Sequence, residues 1–269
     1  MRKDCTELTA TVLTMLVRRR HDMILDVLRT TGPAAVADLS QRLGVSTATI
    51  RRDLTYLHSE GVLERVHGGA APVGPAEPPF DVVAVDHQDA KVRVAAAAAG
   101  LVRDGDVLLV DIGTTTSHLA RALHGREVTV ITSSLAVYEE LAHDEAVQLI
   151  VLGGVVRRNY RSLVGFLTEH AIRQVHADVL FLSTSGVRRD GSVLDTTAVE
   201  VPVKRAMLAA AERTVLVADA GKFPGRGIAR VCGADALAAV VTDESADPET
   251  LARLNDRGVE VVTAVEVTG

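Results

Sequence analysis

Residues 46–70 read STATIRRDLTYLHSEGVLERVHGGA, and this stretch decides the fold of the front part of a chain of 269 residues. Ser46 is a favourable residue to begin a helix, because its hydroxyl can accept a hydrogen bond from a free N–H group of the first turn. Ile50, Leu54 and Leu57 are spaced at i, i+4 and i+7, which places them on one buried face. Arg52 falls on the opposite face, so the stretch predicts a helix with an apolar back and a cationic front.

The residues after this helix indicate a small β-structure. Gly61 can end the helix, residues 62–66 are short and β-prone, and Gly68-Gly69 ends the run. A basic helix followed by a hairpin suits a recognition helix in a DNA major groove with a β-wing beside it. The alternative interpretation of this stretch alone is a surface helix with two solvated arginines.

The residues before this helix favour the DNA-binding interpretation. Val36, Leu39 and Leu43 predict a short amphipathic helix, and Gly44-Val45 predicts a tight turn directly after it. An earlier helix is predicted over residues 20–30. A short helix, a turn that contains glycine and a Ser-capped basic helix are together typical of a helix-turn-helix.

A wider set of residues forms a family pattern between positions 20 and 70. Its members are Arg20, Ile24, Leu28, Gly32, Leu39, Val45-Ser46, residues 49–54 (TIRRDL), Leu57, Gly61, Leu63, Arg65 and residues 67–70 (HGGA). This pattern resembles the DeoR family of bacterial transcription regulators. The resemblance implies an α+β winged helix-turn-helix that binds double-stranded operator DNA.

Our hypothesis is that seven residues of the helix and the wing meet the operator. They are Ser46, Thr47, Thr49, Arg51, Arg52, Arg65 and His67. Either recognition-helix arginine would read a guanine edge, whereas Ser46, Arg65 and His67 would contact phosphates. Asp53 could instead orient an arginine.

Composition limits the class of protein. Hydrophobic residues make up 47% of the chain, which indicates a globular fold, and no apolar run is as long as a membrane span. Cys5 and Cys232 have neither disulfide nor metal-ligand spacing, which indicates free thiols in a reducing cytoplasm. Residues 1–17 lack a signal-peptide pattern and are expected to be a poorly specified extension. We expect no metal and no cofactor.

The net charge of −6 is unevenly divided along the chain. Residues 1–70 carry ten Lys/Arg against eight Asp/Glu, whereas the rest carries nineteen against twenty-seven. Because phosphate neutralisation sets DNA affinity, one mildly basic copy should bind weakly. We therefore expect a homo-oligomer, a dimer or a tetramer, that presents several basic helices.

The pattern of apolar and polar residues changes after a proline-rich segment. Residues 68–80 hold four of the eight prolines and predict a linker. The expected domains are the winged helix-turn-helix at 18–70, a linker at 71–82 and an effector-sensing and oligomerisation domain at 83–269. In the last domain short apolar strands alternate with helices, which predicts an α/β fold with a mostly parallel sheet.

Polar residues follow five of the predicted strands, at the edge where parallel sheets bind ligands. The first of these strands ends in Asp111-Ile112-Gly113 and runs through three threonines towards a helix that is predicted from Ser117. Such hydroxyls and helix N–H groups can hold a phosphate, although a threonine-rich helix cap is the alternative. The other four ends lie within residues 132–134, 153–161, 183–186 and 219–222. Together they predict a pocket for a small polyhydroxylated anion.

The second half of the chain also carries a family pattern. Its members are Asp111, residues 113–115 (GTT), residues 152–154 (LGG), Gly165, Asp178, Phe181, Gly186, Gly191, Lys204, Met207, Asp219, Lys222-Phe223 and Thr242-Asp243. They resemble the DeoR-family sensor domain, whose fold is similar to ribose-5-phosphate isomerase, glucosamine-6-phosphate deaminase and the CoA-transferases. The resemblance implies that this domain binds a phosphorylated sugar or a related metabolite.

The effector residues expected from this resemblance are Asp111, Gly113, Thr114, Thr115, Thr116, Ser133, Gly153, Gly154, Ser185, Gly186, Lys204, Asp219 and Lys222. Asp219 is interpreted as the partner of Lys222. The family usually has Thr-Asn-Ser after the second strand, where this chain has Thr132-Ser133-Ser134. That difference changes the hydrogen-bonding groups that are offered to an effector.

These observations predict a cytoplasmic repressor of sugar-metabolism genes that a phosphorylated sugar releases from DNA. One alternative is a DNA-binding regulator whose C-terminal domain only forms oligomers. Another is an enzyme of the isomerase or deaminase type, since the fold relatives are catalysts. Residues 183–187 contain neither carboxylate nor histidine, however, and an isomerase needs a base near its substrate. We therefore expect no catalytic residues.

Overall fold

The structure is a computed structural model that describes residues 17–28, 31–59, 62–72 and 78–265. The chain divides into two compact units, Met1–Glu77 and Pro78–Gly269. Residues 1–16 of the expected extension, Gly61 and residues 73–77 of the expected linker lie outside the described residues.

The N-terminal unit packs helices against a small antiparallel sheet. Its elements are α1 (residues 17–28), β1 (Ala34–Ala35), α2 (Val36–Leu43), α3 (Thr47–Ser59), β2 (Leu63–Val66) and β3 (Gly69–Pro72). The strand order is β1–β3–β2. Ile50, Leu54 and Leu57 of α3 pack in one core with residues of α1 and α2, as their spacing predicts. The predicted winged helix-turn-helix is confirmed.

Strand β3 is held on both sides, which the sequence pattern does not show. Gly69 pairs with Ala35 of β1, and a Cβ atom at Gly69 would lie 2.2 Å from the carbonyl oxygen of Ala34. Only glycine allows this approach of the two backbones. Strand β3 also includes Ala71 and Pro72, the first two residues of the expected linker.

The C-terminal unit alternates strands and helices. Its elements are α4 (Phe80–Val85), α5 (Gln88–Ala99), β4 (Val107–Val110), α6 (Thr114–Ala122), β5 (Thr129–Thr132), α7 (Leu135–Leu141), β6 (Gln148–Val151), β7 (Val155–Arg157), β8 (Ser162–Val164), α8 (Phe166–Ile172), β9 (Ala177–Leu182), β10 (Gly186–Val187), β11 (Val193–Asp195), α9 (Val201–Ala210), β12 (Ala211–Val217), β13 (Ala229–Cys232), β14 (Ala239–Asp243), α10 (Pro248–Asn255) and β15 (Glu260–Ala264).

Seven parallel strands form the central sheet in the order β15–β14–β12–β9–β4–β5–β6. Helices α5, α6 and α7 contribute to the core on one face, and α8, α9 and α10 contribute to the core on the other. Because both faces are covered, the inner strands β4, β9 and β14 are mainly apolar and buried. The predicted α/β fold is confirmed. Within the described residues, no helix has the length and apolar composition needed to span a bilayer.

Three features of this unit differ from the sequence expectation. Helix α6 begins at Thr114 rather than Ser117. Gly113, which has a φ of 139°, is the last residue before the helix. Helix α4 begins at Phe80, inside the expected linker. The β7–β8 hairpin and the β10–β11–β13 sheet are antiparallel additions whose short strands have no clear periodic pattern.

Candidate DNA-binding surface and effector site

Helix α3 presents its polar residues on the side that faces away from the core. The backbone N–H of Thr49 donates to Ser46 Oγ over 3.1 Å, so Ser46 caps the helix as predicted. Arg51 and Arg52 are exposed, as are Ser46 and Thr47, whereas Thr49 is half-buried. The arginines line a shallow cavity of about 420 Å³ together with Thr55, Tyr56 and Ser59. The two predicted operator arginines of α3 therefore share one accessible surface.

Asp53 lies on the opposite, buried side of α3. Arg20 of α1 donates to both of its carboxylate oxygens, over 2.6 and 2.9 Å, and His21 lies 3.0 Å away. Burial would raise the pKa of Asp53, but the hydrogen bonds from Arg20 and His21 outweigh burial and hold that pKa below its ordinary value. The arginine that Asp53 orients is therefore Arg20 and not an arginine of α3.

The wing places the other two predicted DNA contacts near α3. Arg65 of β2 is exposed, and its Nη1 donates to Thr55 Oγ1 of α3 over 2.8 Å. His67 is exposed in the turn between β2 and β3. Arg65 therefore ties the wing to the recognition helix, in addition to any contact with phosphate.

At the carboxyl edge of the central sheet, Asp111 is the centre of a buried polar cluster. It follows β4 and accepts hydrogen bonds from the backbone N–H and the hydroxyl of Ser183, which follows β9, both over 2.9 Å. The ammonium group of Lys204, from α9, contacts the same carboxylate and donates to Ser183 Oγ over 3.0 Å. Lys204 and Asp111 are each 1% exposed. Three elements far apart in the chain thus converge on one carboxylate.

Lys204 is a permanent cation in this cluster. Burial would lower its pKa, but Asp111 and Asp195 outweigh burial and raise that pKa above its ordinary value. Asp195 lies at the end of β11, and its carboxylate is 3.6 Å from the Lys204 ammonium. The lysine is therefore suited to hold charge and not to act as a base at neutral pH.

At the ends of β4 and β5, two buried oxygen atoms have no hydrogen-bond partner among the described residues: Asp111 Oδ1 and Ser133 Oγ. They follow the adjacent strands β4 and β5. The first turn of α6 lies between them in the chain. The first intrahelical hydrogen bond runs from the Ser117 N–H to Gly113 O, so the N–H groups of residues 114–116 come before the hydrogen-bonded part of the helix. Buried polar atoms are normally paired, so this edge has unused capacity to bind a polar ligand.

The threonines of α6 are buried rather than displayed on a loop. Thr114 and Thr115 are 6% exposed, and the Thr116 hydroxyl donates to Gly113 O over 3.0 Å. A Cβ atom at Gly113 would lie 3.2 Å from the Ser183 side chain. Gly113 therefore lets the start of α6 approach the Asp111 cluster closely.

Several predicted effector residues have a structural explanation. A Cβ atom at Gly154 would lie 2.1 Å from Thr168 Oγ1, and one at Gly186 would lie 2.4 Å from the Arg226 backbone nitrogen. Packing alone therefore requires these two glycines, whereas a Cβ atom at Gly153 would meet open space. Ser185 Oγ accepts the backbone N–H of Thr196 over 3.1 Å.

Asp219 and Lys222 lie further along the same edge. Asp219 Oδ1 accepts the Gly221 N–H over 3.0 Å, and within the described ranges no ion pair joins Asp219 to Lys222. In the structure the Asp219 carboxylate instead caps the short turn in which Lys222 lies, and its pairing with Lys222 stays a prediction. Asp219 and Gly221 line a cavity of about 750 Å³ together with Gln88 of α5.

Sequence reasoning missed a second buried pair beside the first cluster. Glu200 Oε1 accepts hydrogen bonds from Arg157 over 2.7 Å and from the Ser162 hydroxyl over 2.8 Å. Burial raises the pKa of Glu200, although Arg157 opposes the shift. No local pattern indicates this pair, because Glu200 lies 43 positions from Arg157 in the chain.

Both units match known protein families. Residues 20–74 match the DeoR-like helix-turn-helix domain, and residues 86–244 match the DeoR C terminal sensor domain. The chain belongs to the DeoR family. It is therefore a DNA-binding transcriptional regulator.

Individual relatives agree with this family assignment. The chain is 31% identical to the putative aga operon transcriptional repressor of Escherichia coli O157:H7, over 92% of this chain and 94% of that protein. It is 33% identical to the transcriptional repressor AccR of Agrobacterium fabrum, over 83% of this chain and 88% of that protein. Among solved structures, the chain is similar to ribose 5-phosphate isomerase A of Methanocaldococcus jannaschii. The match covers 51% of this chain and 55% of that chain, with 19% identity and a TM-score of 0.39.

Proposed function

We propose that this DeoR-family regulator is a repressor that a phosphorylated sugar releases from its operator. The observation that carries the proposal is that two buried oxygens at the ends of β4 and β5, Asp111 Oδ1 and Ser133 Oγ, have no hydrogen-bond partner within the described part of the chain. A hydroxylated ligand could satisfy both atoms, since a carboxylate oxygen accepts and a serine hydroxyl can donate or accept.

The start of α6 suits the anionic end of such a ligand. The backbone N–H groups of residues 114–116 lie at a helix N-terminus, where the positive end of the helix dipole favours a phosphate. Lys204 is held in place by Asp111 and offsets the charge of that carboxylate, which lowers the cost of bringing in an anion. We propose that Lys222 adds a further counter-charge.

The exposed face of α3 is proposed as the operator surface. Arg51 or Arg52 would read a guanine edge, because a guanidinium can donate two parallel hydrogen bonds to guanine O6 and N7. Ser46 and His67 would contact phosphates, and Arg65 would fix the wing beside the helix. We propose that a homo-oligomer supplies two or more such surfaces, and that the protein acts in the cytoplasm.

The proposal is tested by measuring operator binding with fluorescently labelled DNA from upstream of the protein's own gene. A panel of phosphorylated sugars is added in turn, with the unphosphorylated sugars as controls. We expect one phosphorylated sugar to release the DNA and its unphosphorylated form to have no effect. Binding that no member of the panel reverses would instead favour a C-terminal unit that only forms oligomers.

Two variants separate the DNA surface from the effector site. Arg52→Ala should weaken operator binding about 10- to 100-fold, which is the usual worth of one bidentate base contact, and should leave effector affinity unchanged. Arg19→Ala removes an exposed charge from α1 and serves as its control. Thr115→Glu should bind DNA normally but resist release, because its carboxylate would repel the phosphate. Loss of both activities in Arg52→Ala would refute this division of roles.

A further inference from the structure

Arg161 connects the effector edge to helix α4. Its Nη2 lies 2.8 Å from Asp81 Oδ1 of α4, and its Nη1 donates to Glu139 Oε2 of α7 over 3.1 Å. Its guanidinium carbon lies 5.2 Å from the centre of the Phe80 ring, at the start of α4. One side chain therefore makes an ion pair and a cation–π contact with the same short helix.

The backbone of Arg161 is fixed by the strand end that carries Ser133. The carbonyl of Arg161 accepts the Leu135 N–H over 2.8 Å, and the carbonyl of Ser133 accepts the Leu163 N–H over 2.8 Å. Arg161 also has a φ of 51°, a left-handed conformation that is unfavourable for a residue other than glycine. The surrounding contacts thus hold this arginine in a set position between the effector edge and α4.

The guanidinium of Arg161 opens onto a cavity of about 250 Å³ that includes the start of α6. Thr114 and Ser117 of α6 line this cavity, and Phe80 and Asp81 of α4 line it from another side. Hydroxyls, a helix N-terminus and a guanidinium are the groups that bind phosphate in proteins. An anion in this cavity would also meet the carboxylates of Asp81, Glu139 and Glu140, and it would compete with Asp81 and Glu139 for Arg161.

We propose that Arg161 exchanges partners between Asp81 and the phosphate of the effector, so that effector binding releases α4. This inference rests on the proposed function of the same site. The Arg161–Asp81 pair is exposed, with 38% and 74% of the two side chains accessible, and such pairs are weak. A phosphate dianion offers more charge and more acceptor oxygens to the same guanidinium.

Helix α4 is suited to respond to such an exchange. It has only six residues, and Val82 and Val85 are exposed rather than packed. Helix α4 is also held by a hydrogen bond from the Lys91 ammonium to Val83 O, by an edge contact of the buried Phe80 ring with Tyr160 and by packing against α6. It lies directly after Pro78-Pro79, at the start of the C-terminal unit. Loss of the Arg161 contacts would therefore free α4, which is the first helix of this unit after the connection to the DNA-binding unit.

Hydrogen exchange of the full-length protein tests this proposal, with inorganic phosphate as the probe and sodium chloride at equal ionic strength as the reference. We expect phosphate to speed exchange of the α4 amides about threefold or more in the wild type. In Arg161→Ala the same amides should exchange fast in both solutions. Asp81→Asn, a second variant that keeps the arginine, should exchange fast without phosphate and bind phosphate more tightly.

Arg253→Ala is the matched control, because Arg253 makes an exposed ion pair with Glu249 at the same distance of 2.8 Å on α10. Its α4 amides should behave as in the wild type. Slow α4 exchange in both Arg161→Ala and Asp81→Asn, or phosphate that slows α4 in the wild type, would overturn the proposal.

The operator assay separates this proposal from the proposed function. If a phosphorylated sugar releases DNA equally well from the wild type and from Arg161→Ala, the partner exchange is wrong while the repressor proposal stands. If no sugar phosphate releases DNA but α4 still responds to phosphate only when Arg161 is present, the exchange stands and the proposed effector class fails.

Discussion

The recognition helix and the sheet edge use charged residues in opposite ways. On α3 the arginines proposed to bind DNA are exposed, and the apolar residues of one helical face hold them outward. At the sheet edge Lys204 and Asp111 are buried and form an ion pair with each other. A surface made by one helix follows from the periodicity of that helix, whereas a buried cluster depends on contacts between distant segments. The two regions should therefore respond differently when one charge is removed.

The largest effect is expected at the sheet edge. Lys204→Met should lower the free energy of unfolding by about 3–5 kcal/mol, because it leaves the Asp111 carboxylate buried without its cation. Urea denaturation of the full chain measures the change. An exposed pair provides the contrast, since Arg173→Ala, which breaks a 3.5 Å pair with Glu169 on α8, should cost less than about 0.5 kcal/mol.

A second substitution shows whether the loss comes from the unpaired charge. Lys204→Met combined with Asp111→Asn removes both charges and should recover at least half of the stability that Lys204→Met loses. If the double variant is less stable than the single variant, then the lysine contributes by packing and by its bonds to Ser183, and the contrast with the exposed surface weakens.

An intermediate effect is expected at Asp53, which lies behind the exposed face of α3. Asp53→Asn should cost about 1–2 kcal/mol at neutral pH, because it weakens hydrogen bonds from Arg20 and His21 to a carboxylate. The pKa of Asp53 is lowered in the folded protein from an ordinary value of 3.8. Its stabilisation is therefore complete above pH 3.8 and is lost as the pH falls through the lowered pKa.

The pH dependence of this variant isolates the contribution of the Asp53 carboxylate to stability. The difference in unfolding free energy between the wild type and Asp53→Asn should be constant from neutral to mildly acidic pH and should shrink in strong acid. Urea titrations of both proteins across this range give that difference. A difference that grows as the pH falls would mean that the ionised Asp53 does not stabilise the folded state.

Much of the fold could be predicted, because its signals are local. The spacing of Ile50, Leu54 and Leu57 set the buried face of α3, and the alternation of apolar strands with helices indicated the parallel sheet. Glycine patterns were less informative, since Gly154 matched a family pattern but is explained by the approach of Thr168.

The candidate effector site could be predicted only in part. Residue type and strand ends indicated Asp111 and Ser133, but no local pattern indicates that Lys204 reaches Asp111 across 93 positions or that Arg157 reaches Glu200. Arg161 contacts Asp81 and Phe80 at the start of α4, which the sequence assigned to a linker, so no local pattern indicates these contacts. The missing information is in each case a contact between segments that are far apart in the chain.

The smallest effect is expected at Ser46, where stability and DNA binding meet in one side chain. Ser46→Ala removes the acceptor for the Thr49 N–H and should cost about 1 kcal/mol of stability. Ser46→Gly restores no acceptor but should cost only a few tenths of a kcal/mol, because glycine is itself a tolerated N-cap. If both variants lose operator affinity equally despite this difference in stability, the hydroxyl itself contacts DNA. If operator affinity follows stability, Ser46 acts by fixing the start of α3. The exposed DNA-binding surface of α3 would then depend on supporting contacts, as the buried cluster of Asp111 and Lys204 does.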